Sequence, residues 1–227
     1  MREDSSTIDA ATHTATLYPR TQHAMLSADA ILNLHDTLTR AWHIELPPAP
    51  AGEPGDWLDR IARQHRANFD LWHIEDEARA PGATDAELAS VKRRIDRTNQ
   101  LRNDLAEALD RTLLEWLTPQ FLPSPAAPLN SESPGLIIDR LSILALKIFH
   151  TREEAERRDA PEGHAERNQQ RLAILLEQRA DLAGCLNALW HETLTGTRRF
   201  KLYRQLKMYN DPALNPAIYR SHAGSGQ

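Results

Sequence analysis

The sequence has little cysteine and little valine: one of each, Cys185 and Val91, in 227 residues. A single cysteine excludes an intramolecular disulfide framework and any zinc site built from several thiolates. The neighbours of Cys185 are apolar, so we expect a small buried side chain rather than a reactive thiol. Strands favour β-branched residues in period-two alternation, and no segment sustains that pattern, which argues against a β-sheet.

Long apolar runs are also missing. The most apolar stretch, "LIIDRLSILALKIF", is broken by Asp139, Arg140 and Lys147, so it falls short of the ~18 uninterrupted apolar residues of a membrane span. The first twenty residues carry acids and lack the apolar centre of a secretory signal. We therefore expect a cytoplasmic protein without a membrane span.

Several functional signatures are absent. The formal net charge of -5 argues against nucleic acid as the main partner, because domains that bind it usually carry an excess of Lys and Arg. The sequence contains no G-x-x-x-x-G-K-[ST] or G-x-G-x-x-G phosphate loop and no G-x-S-x-G nucleophile motif. The usual nucleotide cradles and the nucleophile elbow of α/β-hydrolases are thereby excluded.

Helical periodicity interrupted by proline-rich loops dominates what is present. It predicts an all-α fold, a single-domain bundle of about five long helices with proline-rich loops. We expect a flexible N-terminal arm over 1–24, a helical bundle domain over 25–210 and an irregular C-terminal tail over 211–227. The first expected helix begins near residue 27. The next four cover about 56–79, 84–117, 135–159 and 164–195, and a short sixth helix covers 198–208.

Local signals support these boundaries. Ser27 is a favourable N-cap residue, and Thr84 with Glu87 forms the Thr-x-x-Glu pattern of a capping box. Ser133 followed by proline is typical of a helix start, and Gly196 is suited to follow a helix C-terminus.

Polar residues lie on helix faces that should be buried. On the second helix, His65, Phe69, Trp72, His73 and Asp76 share one side. A carboxylate among aromatic rings is costly unless it is paired, so Asp76 should have a partner or face a cleft. A lone histidine in such a setting is more often a hydrogen-bonded core residue than a ligand.

The fourth helix is apolar nearly all round, yet it carries Asp139, Arg140, Ser142, Lys147 and His150. Two interpretations stay open. Asp139 or Lys147 forms internal ion pairs with the third helix, since buried charges are usually paired. Alternatively, these groups line a pocket between helices, where bundles keep their ligand sites. The third helix offers a polar stripe that is either solvated or part of that pocket: Asp96, Asn99, Asn103, Glu107 and Asp110.

The residues of these helices that could bind a metal are His65, His73, Asp76, Glu107, Asp139 and His150. Di-iron bundles repeat Glu-x-x-His on two helices, whereas here only Asp70-x-x-His73 approaches that motif, and it occurs once. We therefore predict no metal site and leave the cofactor unassigned.

The C-terminal stretch "RRFKLYRQLKMYNDP" interleaves basic and aromatic residues. Such a pattern suits a phosphate-bearing ligand, or a solvated basic helix that packs its aromatics onto the bundle. Because the whole chain is acidic, we favour a small anionic ligand over a nucleic acid.

Four stretches resemble a bacterial family known as domain of unknown function 4254: "LWHIEDEAR", "KRRIDRTNQLRNDLAEALD", "PGLIIDRLSILALKIFH" and "FKLYRQLKMYNDPALNP". The resemblance runs from about residue 25 to 219 and brings no established catalytic residues. It implies a context, because members tend to be encoded near glycosyltransferases of surface-polysaccharide assembly. An anionic sugar or sugar-nucleotide ligand and a glycosyltransferase partner are the corresponding expectations.

We therefore predict a site between the second, third and fourth helices, closed by the C-terminal segment. The candidate acid-base residues are His73, Asp76, Asp139 and His150. The candidate ligand-binding residues are Asn99, Asn103, Arg140, Lys147, Tyr203, Arg204, Lys207 and Asn210. Whether the site is catalytic is left open. The alternative is a non-catalytic adaptor or regulator that docks on a glycosyltransferase, with the polar residues serving as internal ion pairs.

Overall fold

The computed structural model of the chain describes residues 26–204, 213, 214 and 216. These residues contain five α-helices and no sheet, as the sequence predicts. The predicted N-terminal arm, most of the predicted tail, and Lys207 and Asn210 lie outside them. The helices are α1 (Ala28–Ile44), α2 (Trp57–Glu77), α3 (Asp85–Leu117), α4 (Pro134–Glu156) and α5 (His164–Leu194).

Most helix ends are formed by the residues that the local signals indicate. The Ser27 hydroxyl accepts a hydrogen bond from the Ala30 amide at the start of α1. At the start of α3, the Thr84 side chain accepts from the Glu87 amide, and the Glu87 carboxylate accepts from the Thr84 amide at 2.8 Å. Gly196 follows α5 with a φ of +73°, a conformation that glycine adopts without steric cost.

The predicted short helix over 198–208 is wrong for 198–204, the part of it that the structure describes. These residues are not helical, and Arg199 forms a parallel bridge with Leu129. The Asn130 amide donates to the Arg199 carbonyl at 2.7 Å, and the Arg199 amide donates to the Pro128 carbonyl at 3.0 Å. Pairing with a distant loop and burial of Phe200 in the core replace the local hydrogen bonds of a helix.

Helix α4 lies at the centre of the bundle and packs against each of the other four helices. This position explains why its sequence is apolar nearly all round. The face of α5 that meets α4 carries Leu182 and Leu186 in the buried core. Cys185, next to Leu186, is exposed, so the expected burial of this cysteine is wrong.

Asp110 of α3 holds the first turn of α4. Its carboxylate accepts from the Gly135 amide at 2.7 Å and from the Ser133 hydroxyl. Burial raises the Asp110 pKa to about 6, although both hydrogen bonds favour the charged form. This member of the α3 polar stripe is only 2% exposed, so it is a structural partner of α4 rather than part of a solvated face.

We expect Gly135→Ala to destabilise the protein by about 1–3 kcal/mol, because a methyl group there has no room. It would overlap the backbone carbonyl oxygen of Ala106 and come within 2.9 Å of the Asp110 carboxylate. Gly184→Ala is the matched control, since a Cβ on this helical glycine of α5 meets nothing within 4 Å. Urea denaturation should show Gly184→Ala neutral or stabilising, and equal losses in both variants would contradict the packing argument.

Candidate functional site

Three histidines from three helices meet at one end of the bundle. His43 lies in the last turn of α1, His73 near the end of α2 and His150 in the second half of α4. One side-chain nitrogen from each ring lies within 4.8 Å of the other two. The His43 ring centroid is 4.9 Å from that of His150 and 5.3 Å from that of His73. We call these three residues the histidine cluster.

Hydrogen bonds determine the tautomers of two members. Nδ1 of His43 lies 2.7 Å from the Thr39 carbonyl oxygen, and Nδ1 of His150 lies 3.0 Å from a Glu153 carboxylate oxygen. A carbonyl or an ionised carboxylate only accepts, so each Nδ1 carries the proton in the neutral ring. Each Nε2 then presents a lone pair. Both Nε2 atoms are buried and have no hydrogen-bond partner in the described part of the chain.

Aromatic rings surround the cluster. Phe149 stacks on His43 at 4.2 Å, Trp72 stacks on His150 at 4.8 Å, and Phe69 packs edge-on against His73 at 4.5 Å. This burial lowers the pKa of His73 and of His150, and the neighbouring histidines lower both further. The acids nearby, among them Asp76, act in the opposite direction. The lowered pKa values favour the neutral imidazole at His73 and at His150.

His65 lies deeper and has a different role. Its Nε2 is 2.9 Å from the Thr39 hydroxyl, and its Nδ1 is 2.7 Å from the Ser142 hydroxyl. The ring is fully buried and stacks on His35 at 4.5 Å. Burial lowers the pKa of His65 to about 3. His65 is therefore a hydrogen-bonded core histidine.

Asp139 is the centre of a buried polar network. Its Oδ1 accepts hydrogen bonds from Gln64 at 2.6 Å and from Asn68 at 3.0 Å, both on α2. The Nε of Arg102, on α3, lies 3.4 Å away, an ion-pair distance without hydrogen-bond geometry. Burial raises the Asp139 pKa, while Arg102, Asn68 and Gln64 oppose that shift. The network connects α2, α3 and α4.

Two surface cavities flank Trp72. The first, about 410 Å³, lies beside α2, α3 and α4. The second, about 430 Å³, lies between α2, α4 and α5 and includes His150. Both volumes fall within the range typical of small-molecule sites. The first is lined by Asn68, Leu71, Trp72, Glu75, Asp76, Arg79, Arg102, Ile143 and Leu146. The second is lined by Trp72, Lys147, His150, Thr151, Glu154, Asn168, Arg171, Ile174, Leu175 and Gln178.

With this geometry established, the comparisons with known proteins give one match. The family described as "protein of unknown function (DUF4254)" matches residues 58–202. The chain belongs to this DUF4254 family. No curated protein and no solved structure matches it. The DUF4254 match covers α2 to α5, and so includes His73 and His150, but it begins after α1 and His43.

The structure brings some of the predicted site residues in this DUF4254 chain together. Asp76 is exposed and lines the first cavity, Lys147 and His150 line the second, and His73 joins the histidine cluster. Asp139 is buried behind the first cavity, where it contacts two lining residues, Asn68 and Arg102.

Other predicted residues lie elsewhere. Arg140 is exposed and pairs with Glu132 at 2.7 Å. Asn99 and Asn103 are half-buried, Tyr203 and Arg204 are exposed, and none of these four lines either cavity. The C-terminal segment, as far as Arg204, therefore contributes no lining residue to the two cavities.

Sequence reasoning missed His43, His35 and Thr39. Apolar residues recur at helical spacing in α1 at Ile31, Leu34, Leu38 and Trp42, yet Leu34, Leu38 and Trp42 are only half-buried. The fully buried side continues from Ile31 through His35 and Thr39 at steps of four residues. His43 is the next step along the same line. The regular spacing of four residues from Ile31 to His43 is the sequence signal that could have identified this side of the helix.

No helix in the described part of the chain is long and apolar enough to cross a membrane.

Proposed function

We propose that this chain is a bacterial cytoplasmic protein of surface-polysaccharide assembly that binds an anionic sugar or sugar nucleotide in the cavities beside Trp72. One observation carries the proposal. Lys147 and Arg171 both line the second cavity, and neither forms an ion pair with a carboxylate among the residues that the structure describes. Two cations without a carboxylate partner suit an anionic ligand.

The two cations offer different contacts. Lys147 carries a compact charge with three donors, whereas the planar guanidinium of Arg171 can donate two parallel hydrogen bonds to a phosphate or carboxylate. Arg171 is held in place on α5 by its hydrogen bond to the Asn168 side chain at 3.3 Å. Both side chains are exposed, so a ligand can reach them. A phosphate group is the chemistry that fits this pair best.

Trp72 and the first cavity suit the rest of such a ligand. An indole ring provides an apolar surface for a sugar or base, and base stacking on aromatic side chains is worth about 1–3 kcal/mol. Glu75 and Asp76 place carboxylates at the first cavity, where they can accept hydrogen bonds from sugar hydroxyls. Asp139 lies behind the residues that line the first cavity and acts as a positioning residue, because it orients Asn68 and Arg102.

We expect Lys147→Ala and Arg171→Ala each to weaken binding of a sugar nucleotide by about 10- to 100-fold, the loss of a charge-assisted hydrogen bond. A thermal-shift panel of sugar nucleotides and sugar phosphates on the purified chain should first identify a stabilising compound. Isothermal titration of that compound then gives the dissociation constants.

Arg93→Ala is the matched control, since Arg93 is an exposed arginine of α3 that lines neither cavity. The affinity of Arg93→Ala for the stabilising compound should equal that of the unchanged chain. No stabilising compound on the panel, or equal losses in Arg93→Ala and Arg171→Ala, would overturn the binding proposal. That result would favour the adaptor alternative, in which the chain docks on a glycosyltransferase.

A further inference from the structure

The histidine cluster has no part in the proposed ligand site beyond the edge that His150 contributes to the second cavity. Its three imidazoles come from three separate helices, and their nitrogens converge to within 4.8 Å. We propose that His43, His73 and His150 bind a divalent transition metal of the zinc class. This site shares only His150 with the second cavity, and it replaces our expectation from sequence that the chain holds no metal.

The strongest observation is the pair of Nε2 atoms left without a partner. In His43 and His150 the proton is on Nδ1, so each Nε2 is an acceptor, and both are buried. A buried acceptor without a donor costs roughly 1–3 kcal/mol, and such groups are rare in folded proteins. A metal ion bound to both lone pairs removes that cost and accounts for the convergence of the rings.

The surroundings of the rings are those of a metal-binding histidine. Histidine ligands usually donate their second nitrogen to a carboxylate or a backbone carbonyl, which sets the ring orientation and increases the basicity of the ligand. Here Glu153 accepts from His150, and the Thr39 carbonyl accepts from His43. Asp70 and Asp76 lie close enough to His73 to affect its pKa electrostatically. These acids help to balance the charge of a divalent cation.

The donor set selects the class of metal. Imidazole nitrogens suit zinc, copper, nickel and iron, whereas calcium and magnesium require oxygen ligands. Zinc–imidazole bonds are about 2.0–2.1 Å long, so the three nitrogens would approach to roughly 3.3 Å in a tetrahedral site. Metal binding therefore requires the half-buried rings to rotate until the nitrogens, now within 4.8 Å of one another, reach that distance. Three protein ligands leave a fourth position, the arrangement of zinc sites that bind water or a substrate.

The purified full chain, stripped of metal with a chelator, should bind one zinc ion per chain. Isothermal titration with zinc alone gives stoichiometry and affinity, and elemental analysis after dialysis gives the retained metal. Cobalt(II) in place of zinc should produce visible absorption bands typical of four-coordinate cobalt. No bound zinc at equimolar, micromolar concentrations, with a folded chain by circular dichroism, would overturn the proposal.

Variants then assign the site. His73→Gln should abolish the stoichiometric binding, and because this ring is only half-buried, the fold should be retained. His191→Gln is its control, since His191 is an exposed histidine in the last turn of α5. Zinc binding that is unchanged in His73→Gln, or lost equally in His191→Gln, would contradict the assignment.

A second pair of variants changes no proposed ligand. Glu153→Gln should weaken zinc binding about 10- to 100-fold, the effect expected when the partner of a metal-bound histidine is altered. Glu156→Gln, an exposed glutamate on the same helix, should leave the affinity unchanged. Equal affinities in these two variants would show that the Glu153 contact does not support a metal site.

Discussion

Replacing Asp139 with alanine is expected to lower the free energy of unfolding by about 3–5 kcal/mol, the loss typical of a buried ion pair that loses one partner. The carboxylate accepts from two buried amides, those of Gln64 and Asn68, and faces the guanidinium of Arg102. In Asp139→Ala, the Gln64 amide loses its acceptor, the Asn68 amide keeps only the Ser142 hydroxyl, and the half-buried Arg102 loses its ion-pair partner.

Asp139→Asn separates the two contributions. The asparagine keeps an oxygen that can accept from Gln64 and Asn68 but removes the charge that faces Arg102. Its loss of stability should therefore be smaller than that of Asp139→Ala. Asp104→Ala is the control, because Asp104 is exposed on α3 and accepts a hydrogen bond from the neighbouring Gln100 side chain at 2.7 Å.

Urea denaturation at pH 7 measures all three variants. Surface substitutions usually change stability by no more than about 0.5 kcal/mol, which is the expectation for Asp104→Ala. A loss of that size in Asp139→Ala would mean that the buried network does not hold α2, α3 and α4 together. If the network is instead needed for stability, variants of Asp139 report on folding and cannot test a catalytic role.

The helices could be predicted because their signals are local. Thr84 and Glu87 lie within one turn of each other, and the pattern alone predicts the capping box that the structure contains. The predicted helix over 198–208 failed where it can be checked, because Arg199 pairs with residues 128–130, some seventy positions earlier in the chain. Basic and aromatic spacing carries no information about such a distant partner.

The site could be predicted only in part for the same reason. Asp76, Lys147 and His150 are conspicuous as polar residues on apolar helices, and all three line the cavities. His43 was missed because its importance depends on which side of α1 faces α2 and α4. Apolar residues alone suggested a face centred on Leu34 and Leu38, whereas the buried side runs through His35 and Thr39.

Lowering the pH from 7 to 5 is expected to destabilise the fold, with His65 alone contributing a loss of about 2 kcal/mol. Unfolded histidine binds a proton below about pH 6.5, whereas burial lowers the pKa of His65 in the folded state to about 3. Between these two pH values the unfolded chain holds more protons than the folded chain, so stability falls as the pH falls. Burial and neighbouring His65 and Arg179 lower the pKa of His35 as well, which adds to the loss.

One buried carboxyl opposes this trend. The Asp110 pKa is raised to about 6 in the folded protein, so Asp110 takes up a proton before its unfolded counterpart does. This difference contributes about 1 kcal/mol of stability on going from pH 7 to 5, less than the loss from His65 alone. The burial of Asp139 acts in the same direction as that of Asp110. The two buried histidines together should outweigh these carboxyls.

His65→Gln isolates the contribution of one ring. Glutamine can hydrogen-bond near the Thr39 and Ser142 hydroxyls but does not titrate, so the slope of unfolding free energy against pH between 5 and 6 should fall by about 1 kcal/mol per pH unit. His191→Gln should leave the slope unchanged, since His191 is exposed in the last turn of α5. A slope in His65→Gln equal to that of the unchanged chain would mean that His65 already carries a proton in the fold. Its position between two hydroxyls would then be that of an imidazolium donating from both nitrogens, and the core of this bundle would hold a charge.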